Sequence, residues 1–249
     1  MRRRCRMVCL LTLTASAGCD TLAPLPATPE QLDQGLIVLY PGASSAPIES
    51  VAFIAALRNA GIARAIEPVA WGIPWRNVLN VINYEYSRAW AVDEAARLAA
   101  YMETYPDRPV TLVGYSAGAG AAILVAEALP PDRPVERVIL LGAFVSADYD
   151  LTAMLDRTQD GAISYHSLLD LASIDLALVL GTFDRRFVVP AGVIGFVTDD
   201  PRLLQVPWDP SMAVFGNTGE HLDILLNVVW LTEYLAPWVL GTHTGPDVP

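Results

Sequence analysis

The chain has 249 residues, 53% apolar and 17% charged, with a formal net charge of −11. That length and composition suffice for one large buried core and exclude an intrinsically disordered chain or a coiled coil. All 16 basic residues are arginine and four stand in the first six positions, leaving 12 to face 27 Asp and Glu; so acidic a body repels phosphate backbones and excludes nucleic acid as a partner.

Arg2, Arg3, Arg4 and Arg6 precede an apolar stretch, Met7 to Ala17, that closes in Ser16-Ala17-Gly18-Cys19. A basic start, a short apolar stretch and small residues at a cleavage point make an export signal, and the stretch is too short to span a bilayer. Cys directly after Ala-Gly resembles the lipobox of bacterial lipoproteins, with Ser16 where that pattern usually has Leu. The resemblance implies a signal peptide over 1–18, lipidation of Cys19, and a chain anchored in the cell envelope facing the periplasm or the exterior. Cys5 and Cys9 would leave with the signal, so a single thiol would remain, and acylation gives it a use. A plain export signal with an incidental Cys is the alternative. Residues 19–35, rich in Pro, Thr and Ala, read as a lipidated N-terminus and tether.

Beyond residue 35, short apolar runs alternate with helical patterns. Leu36 to Tyr40 reads as a buried strand closed by Pro41-Gly42, and residues 48–60 as a helix closed by Gly61. Residues 63–70 make a weaker strand, and Asp93 to Tyr105 a helix stopped by Pro106. Strands follow at 110–113, 135–141, 162–166 and 203–206. Helices are expected at 117–129, 149–156 and 171–180, with one long amphipathic helix over 222–240. Apolar strands separated by helices imply one α/β domain over 36–240, a mostly parallel sheet of about six strands with helices on both faces, and a tail at 241–249.

The stretch that carries chemistry is Gly114-Tyr115-Ser116-Ala117-Gly118, which follows an apolar strand and opens a helix. A turn that sharp exposes the serine hydroxyl and tolerates no side chain at the flanking glycines. Gly120 and Ala119 would let the helix approach the neighbouring strand, and the Ala117 N–H points where an oxyanion would form.

On these residues the chain resembles the α/β-hydrolase superfamily, in particular its small esterase- and lipase-like members. The resemblance covers roughly residues 36–240 and implies the chain order nucleophile, acid, histidine. His221, between the last strand and the final helix, stands where the superfamily keeps its base; His166 and His243 do not. The acid is Asp170, after the run 162–166, or Asp184, in a stretch loosely like the Asp-x-x-Val-Pro of many hydrolases. Asp170 is favoured because a strand at 162–166 leaves a helix for each neighbouring crossover. The resemblance further implies a second oxyanion donor after the first strand, the N–H of Ala43 or Ser44.

Ser116, His221 and Asp170 would then cleave a carboxylic ester, small-molecule or lipid, through an acyl-enzyme. The same triad could serve an acyltransferase, and a non-catalytic lipoprotein could keep the fold as a binding module. The aromatics between Trp71 and Trp90 are either core packing or an acyl-binding wall. No metal-ligand cluster, phosphate loop or dinucleotide fingerprint occurs in the sequence, so neither metal nor cofactor is expected.

Overall fold

The computed structural model describes residues 26–242. The export signal, Cys19 and all but the first two residues of the tail lie outside them. Its first element is α1 (Pro29–Leu32), one turn whose Thr28 and Gln31 cap each other. The stretch read as a tether is docked from residue 26 onward. Ala27 and Leu32 pack on the core, Tyr101 Oη donates to the Leu32 carbonyl at 2.7 Å, and Arg108 pairs with Asp33 at 2.9 Å. Two apolar side chains and a capping box outweigh the Pro-rich composition.

Every residue of β1 (Leu36–Tyr40) is buried, as a strand covered on both faces requires. A 3-10 turn (Pro47–Ser50) leads into α2 (Val51–Asn59), then β2 (Ala65–Pro68), α3 (Asn77–Ile82) and α4 (Tyr84–Thr104). α4 starts nine residues before the expected Asp93, because the buried face continues through Ser87 and Ala91. Next come β3 (Val110–Tyr115), α5 (Ala117–Ala128), β4 (Arg137–Leu141), α6 (Thr152–Leu155) and β5 (Ala162–His166). The chain continues through α7 (Leu171–Leu180), α8 (Ala191–Ile194), β6 (Leu203–Pro207) and a 3-10 turn (Pro210–Phe215). It ends in α9 (His221–Leu226), α10 (Val228–Tyr234) and α11 (Ala236–Leu240).

The long helix expected over 222–240 is therefore three short ones. Asn227 leaves helical geometry and accepts from the Trp230 N–H at 3.0 Å, restarting the chain as an N-cap. Pro237 lacks the N–H that a continuing helix needs, and instead occupies the first turn of α11. Both breaks let Trp230, Leu231, Leu235, Ala236 and Trp238 reach one side of the sheet.

The six strands form one parallel sheet in the order β2-β1-β3-β4-β5-β6. Alternate side chains of β1 face opposite layers: Leu36, Val38 and Tyr40 pack with α4 and α5, while Ile37 and Leu39 pack with α2, α10 and α11. From β1 the chain runs outward to β2, returns to β3 beside β1, and proceeds to the other edge. The crevice at the carboxyl ends of β1 and β3 is thus the point where strand order reverses, the usual ligand position in such sheets. Register makes the exits level: Tyr40 lies opposite Gly114, Gly114 opposite Leu140, and Leu141 opposite Tyr165.

Candidate active site

Ser116 stands immediately after β3, with φ 55° and ψ −123°. A non-glycine residue there is strained, and the surroundings hold it in place. Its N–H donates to the Leu141 carbonyl at 2.9 Å, and its carbonyl accepts from Phe144 at 3.0 Å and Ala119 at 3.1 Å. The turn is thereby tied to the end of β4.

Both flanking glycines are sterically required. A Cβ on Gly114 would lie 2.5 Å from Ala119 Cα, and one on Gly118 would lie 2.2 Å from the Tyr40 and Pro41 carbonyl oxygens. The second contact brings the first turn of α5 against the loop leaving β1. Gly120 has a different neighbour from the one expected. It faces Phe183, whose ring a Cβ would meet at 2.2 Å, so it admits the loop after α7 rather than a strand.

His221 is the first residue of α9. Its Nε2 lies 2.8 Å from Ser116 Oγ and its Nδ1 lies 2.6 Å from Asp170 Oδ2. The loop that delivers it is internally bonded: Gly219 N–H donates to Asn217 Oδ1, Thr218 donates to Asp223, and Trp208 Nε1 donates to the Asn217 carbonyl. The Tyr115 ring lies 5.1 Å from the imidazole, and its hydroxyl donates to the His221 carbonyl at 3.0 Å. Burial, reinforced by the charges of Glu49 and Asp170, pushes the Tyr115 phenol far above its ordinary range, so it stays a donor.

Asp170 is buried to 3% exposure and caps α7: Oδ1 accepts from Ser173 N–H at 3.1 Å and Oδ2 from Ser173 Oγ at 2.9 Å. Ser173 Oγ is also 3.0 Å from His221 Nδ1. Asp184 has other partners. It accepts from Ser146 N–H, Ser146 Oγ and Thr182 Oγ1, bracing the loop after α7 against the loop after β4. Residues 177–181, the alternative strand, are instead the end of α7.

Ala117 opens α5, so its N–H has no carbonyl within the helix to bond. The Ala43 loop is fastened from behind. Trp71 Nε1 donates to the Pro41 carbonyl at 2.7 Å, and Asn80 of α3 donates to the Ala43 carbonyl at 2.9 Å. His166 ends β5, and its Nδ1 has no partner among the described residues. Burial lowers its basicity. His243 lies outside the described residues.

In the aromatic segment the core-packing reading holds for three of the side chains. Trp71, Tyr84 and Trp90 pack edge-on against Phe183 or Tyr40, whereas Trp75 is 68% exposed. Sequence reasoning did not single out Ser173 or the role of the Tyr115 ring. The Asp-x-x-Ser spacing of a helix N-cap was a signal for the first, since it turns Ser173 back onto Asp170.

No family model matches the chain, and no curated protein matches its sequence. Among solved structures, lipase B of Aspergillus fumigatus aligns with a TM-score of 0.57 at 12% identity over 93% of this chain. The chain has an α/β-hydrolase fold. It spans 59% of the length of that lipase. A CIB-like hydrolase of Thermoplasma acidophilum (TM-score 0.47, 14% identity, 86% of this chain and 89% of that one) and the carboxylesterase CesB of Bacillus subtilis (0.45, 12%, 84% and 85%) align more loosely and carry no weight here. Within this α/β-hydrolase fold the described residues contain no cluster of His, Cys, Asp and Glu able to hold a metal, and no helix long and apolar enough to cross a membrane.

Proposed function

We propose that the protein is a serine hydrolase that cleaves carboxylic esters. The observation that carries this reading is the unbroken chain Ser116 Oγ, His221 Nε2, His221 Nδ1, Asp170 Oδ2, with links of 2.8 Å and 2.6 Å on a strained turn. Ser116 Oγ attacks the acyl carbonyl as His221 Nε2 takes its proton, and His221 then protonates the departing alcohol. Asp170 keeps the second imidazole proton on Nδ1 and stabilises the imidazolium. Ala117 N–H, with Ala43 N–H from the loop that touches Gly118, stabilises the tetrahedral oxyanion. Water, activated by the same histidine, releases the acyl group. No step draws on a metal or cofactor.

The surroundings favour an apolar acyl portion. α3 is tied to the Ala43 loop, Asp170 caps α7 and His221 opens α9, and Val78 and Leu79 of α3, Leu171 beside Asp170 and Leu222 beside His221 are exposed. The name of the similar fungal lipase agrees with such a substrate. Export as a lipoprotein acylated at Cys19, and a place at the envelope membrane, are further parts of the proposal and rest on the sequence of residues 2–19.

A fluorophosphonate probe, together with hydrolysis of p-nitrophenyl esters, tests the reading. Labelling of the wild type, lost in Ser116→Ala along with about 10⁴–10⁶ of kcat, is the expected result. An unlabelled, inactive wild type would instead indicate a binding module, and acyl transfer to an added alcohol in preference to water would indicate a transferase.

A further inference from the structure

We infer that Ser173 is a positioning residue for His221, one that holds the imidazole in the tautomer required for ester hydrolysis; the inference rests on the hydrolase reading above. Asp170 Oδ2, Ser173 Oγ and His221 Nδ1 form a triangle with sides of 2.6, 2.9 and 3.0 Å. Asp170 and Ser173 are each 3% exposed, so both oxygens that meet His221 Nδ1 are buried.

Proton counting decides what the triangle does. An ionised carboxylate only accepts, and a hydroxyl carries one hydrogen. Ser173 Oγ–H therefore donates to Asp170 Oδ2 and turns a lone pair towards His221. The imidazole must then place a hydrogen on Nδ1, where it is shared between Oδ2 and Oγ. The opposite tautomer would set a bare Nδ1 2.6 Å from a carboxylate oxygen, acceptor against acceptor. With the proton on Nδ1, Nε2 is the free base and faces Ser116 Oγ at 2.8 Å. As Ser116 attacks and the ring becomes positive, both acceptors already point at the N–H that carries the new charge.

Helix capping does not account for the hydroxyl. The cap bond runs from the Ser173 backbone N–H to Asp170 Oδ1 and survives removal of the side chain. The bonds of Oγ go to Asp170 Oδ2 and His221 Nδ1, so its effect falls on the imidazole rather than on α7.

The test compares Ser116→Ala, Ser173→Ala and Ser173→Thr in the full chain by ester kinetics, thermal melting and the low-field proton NMR signal of the imidazole N–H. A hydrogen bond to charged groups predicts a fall in kcat of about 10–100-fold for Ser173→Ala, with KM within about twofold. The N–H signal should shift or broaden while the melting temperature stays close to wild type, and Ser173→Thr should restore kcat and the signal. If Ser173→Thr fails to fold, Ser173→Ala alone decides through kcat and the N–H signal. Wild-type kcat and an unmoved signal in Ser173→Ala, with Ser116→Ala inactive, would overturn the role of Ser173 and leave the hydrolase reading standing. An active Ser116→Ala would remove the hydrolase reading first.

Discussion

Asp170 Oδ2 lies 2.6 Å from His221 Nδ1 although 51 residues separate them, and the same carboxylate caps the helix that follows it. Replacing it tests both duties. Asp170→Asn keeps the shape but permits the wrong imidazole tautomer, so kcat should fall at least a hundredfold, the loss being about 10⁴ in a well-studied triad. Asp184→Asn should keep activity within about tenfold. Its cost is stability, about 1–3 kcal/mol by urea melts, because donors from Ser146 and Thr182 lose part of their acceptor. The reverse ranking would assign the acid role to Asp184.

Gly118 is the position where one methyl group should do most harm. Its Cβ would lie 2.2 Å from two backbone oxygens, which cannot rotate away as a side chain could. Gly118→Ala should therefore either fail to accumulate as folded protein or lose more than about 3 kcal/mol together with its activity. Wild-type melting of this variant would show that α5 stands further from the Tyr40–Pro41 backbone.

His166 supplies a pH dependence of stability. Burial lowers its folded-state pKa below the ordinary value of about 6.5, so the unfolded chain binds the proton more readily. Its contribution to stability is complete above that value and is lost as pH falls through it towards the lower folded pKa. His166→Gln should flatten the fall in stability expected below about pH 6.5 in denaturant titrations of the wild type. An identical slope in both proteins would show that His166 is not a source of it.

Trp75 combines exposure with backbone strain. It holds φ at 67°, and its backbone N–H donates at 2.7 Å to the carbonyl of Ser44, the residue after Ala43. Trp75→Gly should relieve about 1 kcal/mol of strain and melt no lower than wild type. If the ring contacts substrate acyl chains, the same variant should raise KM for long p-nitrophenyl esters and leave acetate turnover unchanged. Equal effects on both chain lengths would remove Trp75 from substrate contact.

Cys19→Ser tests the export proposal. Wild-type protein recovered from membranes should carry acyl mass at Cys19, and the variant should lose both the modification and membrane retention, since two or more acyl chains are what anchor such a protein stably. Unmodified wild type would leave a plain export signal.

What the sequence determined by itself is local. Leu36–Tyr40 is apolar at every position, and Ala162–His166 is apolar at Ala162, Ile163 and Tyr165, so both short runs read as buried strands. The turn at Ser116 is legible because the Gly-x-Ser-x-Gly pattern between a strand and a helix is local, and the clash that keeps Gly114 a glycine lies within its own turn. Gly118 is instead fixed by the distant Tyr40 and Pro41 carbonyls. The tertiary structure decided whatever depends on register. His221 meets Asp170 because parallel pairing levels the ends of β3, β4 and β5, and that pairing is set by burial on both faces of the sheet. The breaks at Asn227 and Pro237 have local causes, an N-cap side chain and a missing N–H, and the tertiary structure decides only where the segments they separate pack. Helical periodicity runs through 222–240, and the packing of Trp230 and Trp238 against one side of the sheet is what the periodicity alone does not place. Local sterics and capping act over a few residues and can be read in order. The meeting of Ser173, Asp170 and His221 requires two layers to pack first, and no stretch of sequence contains that distance.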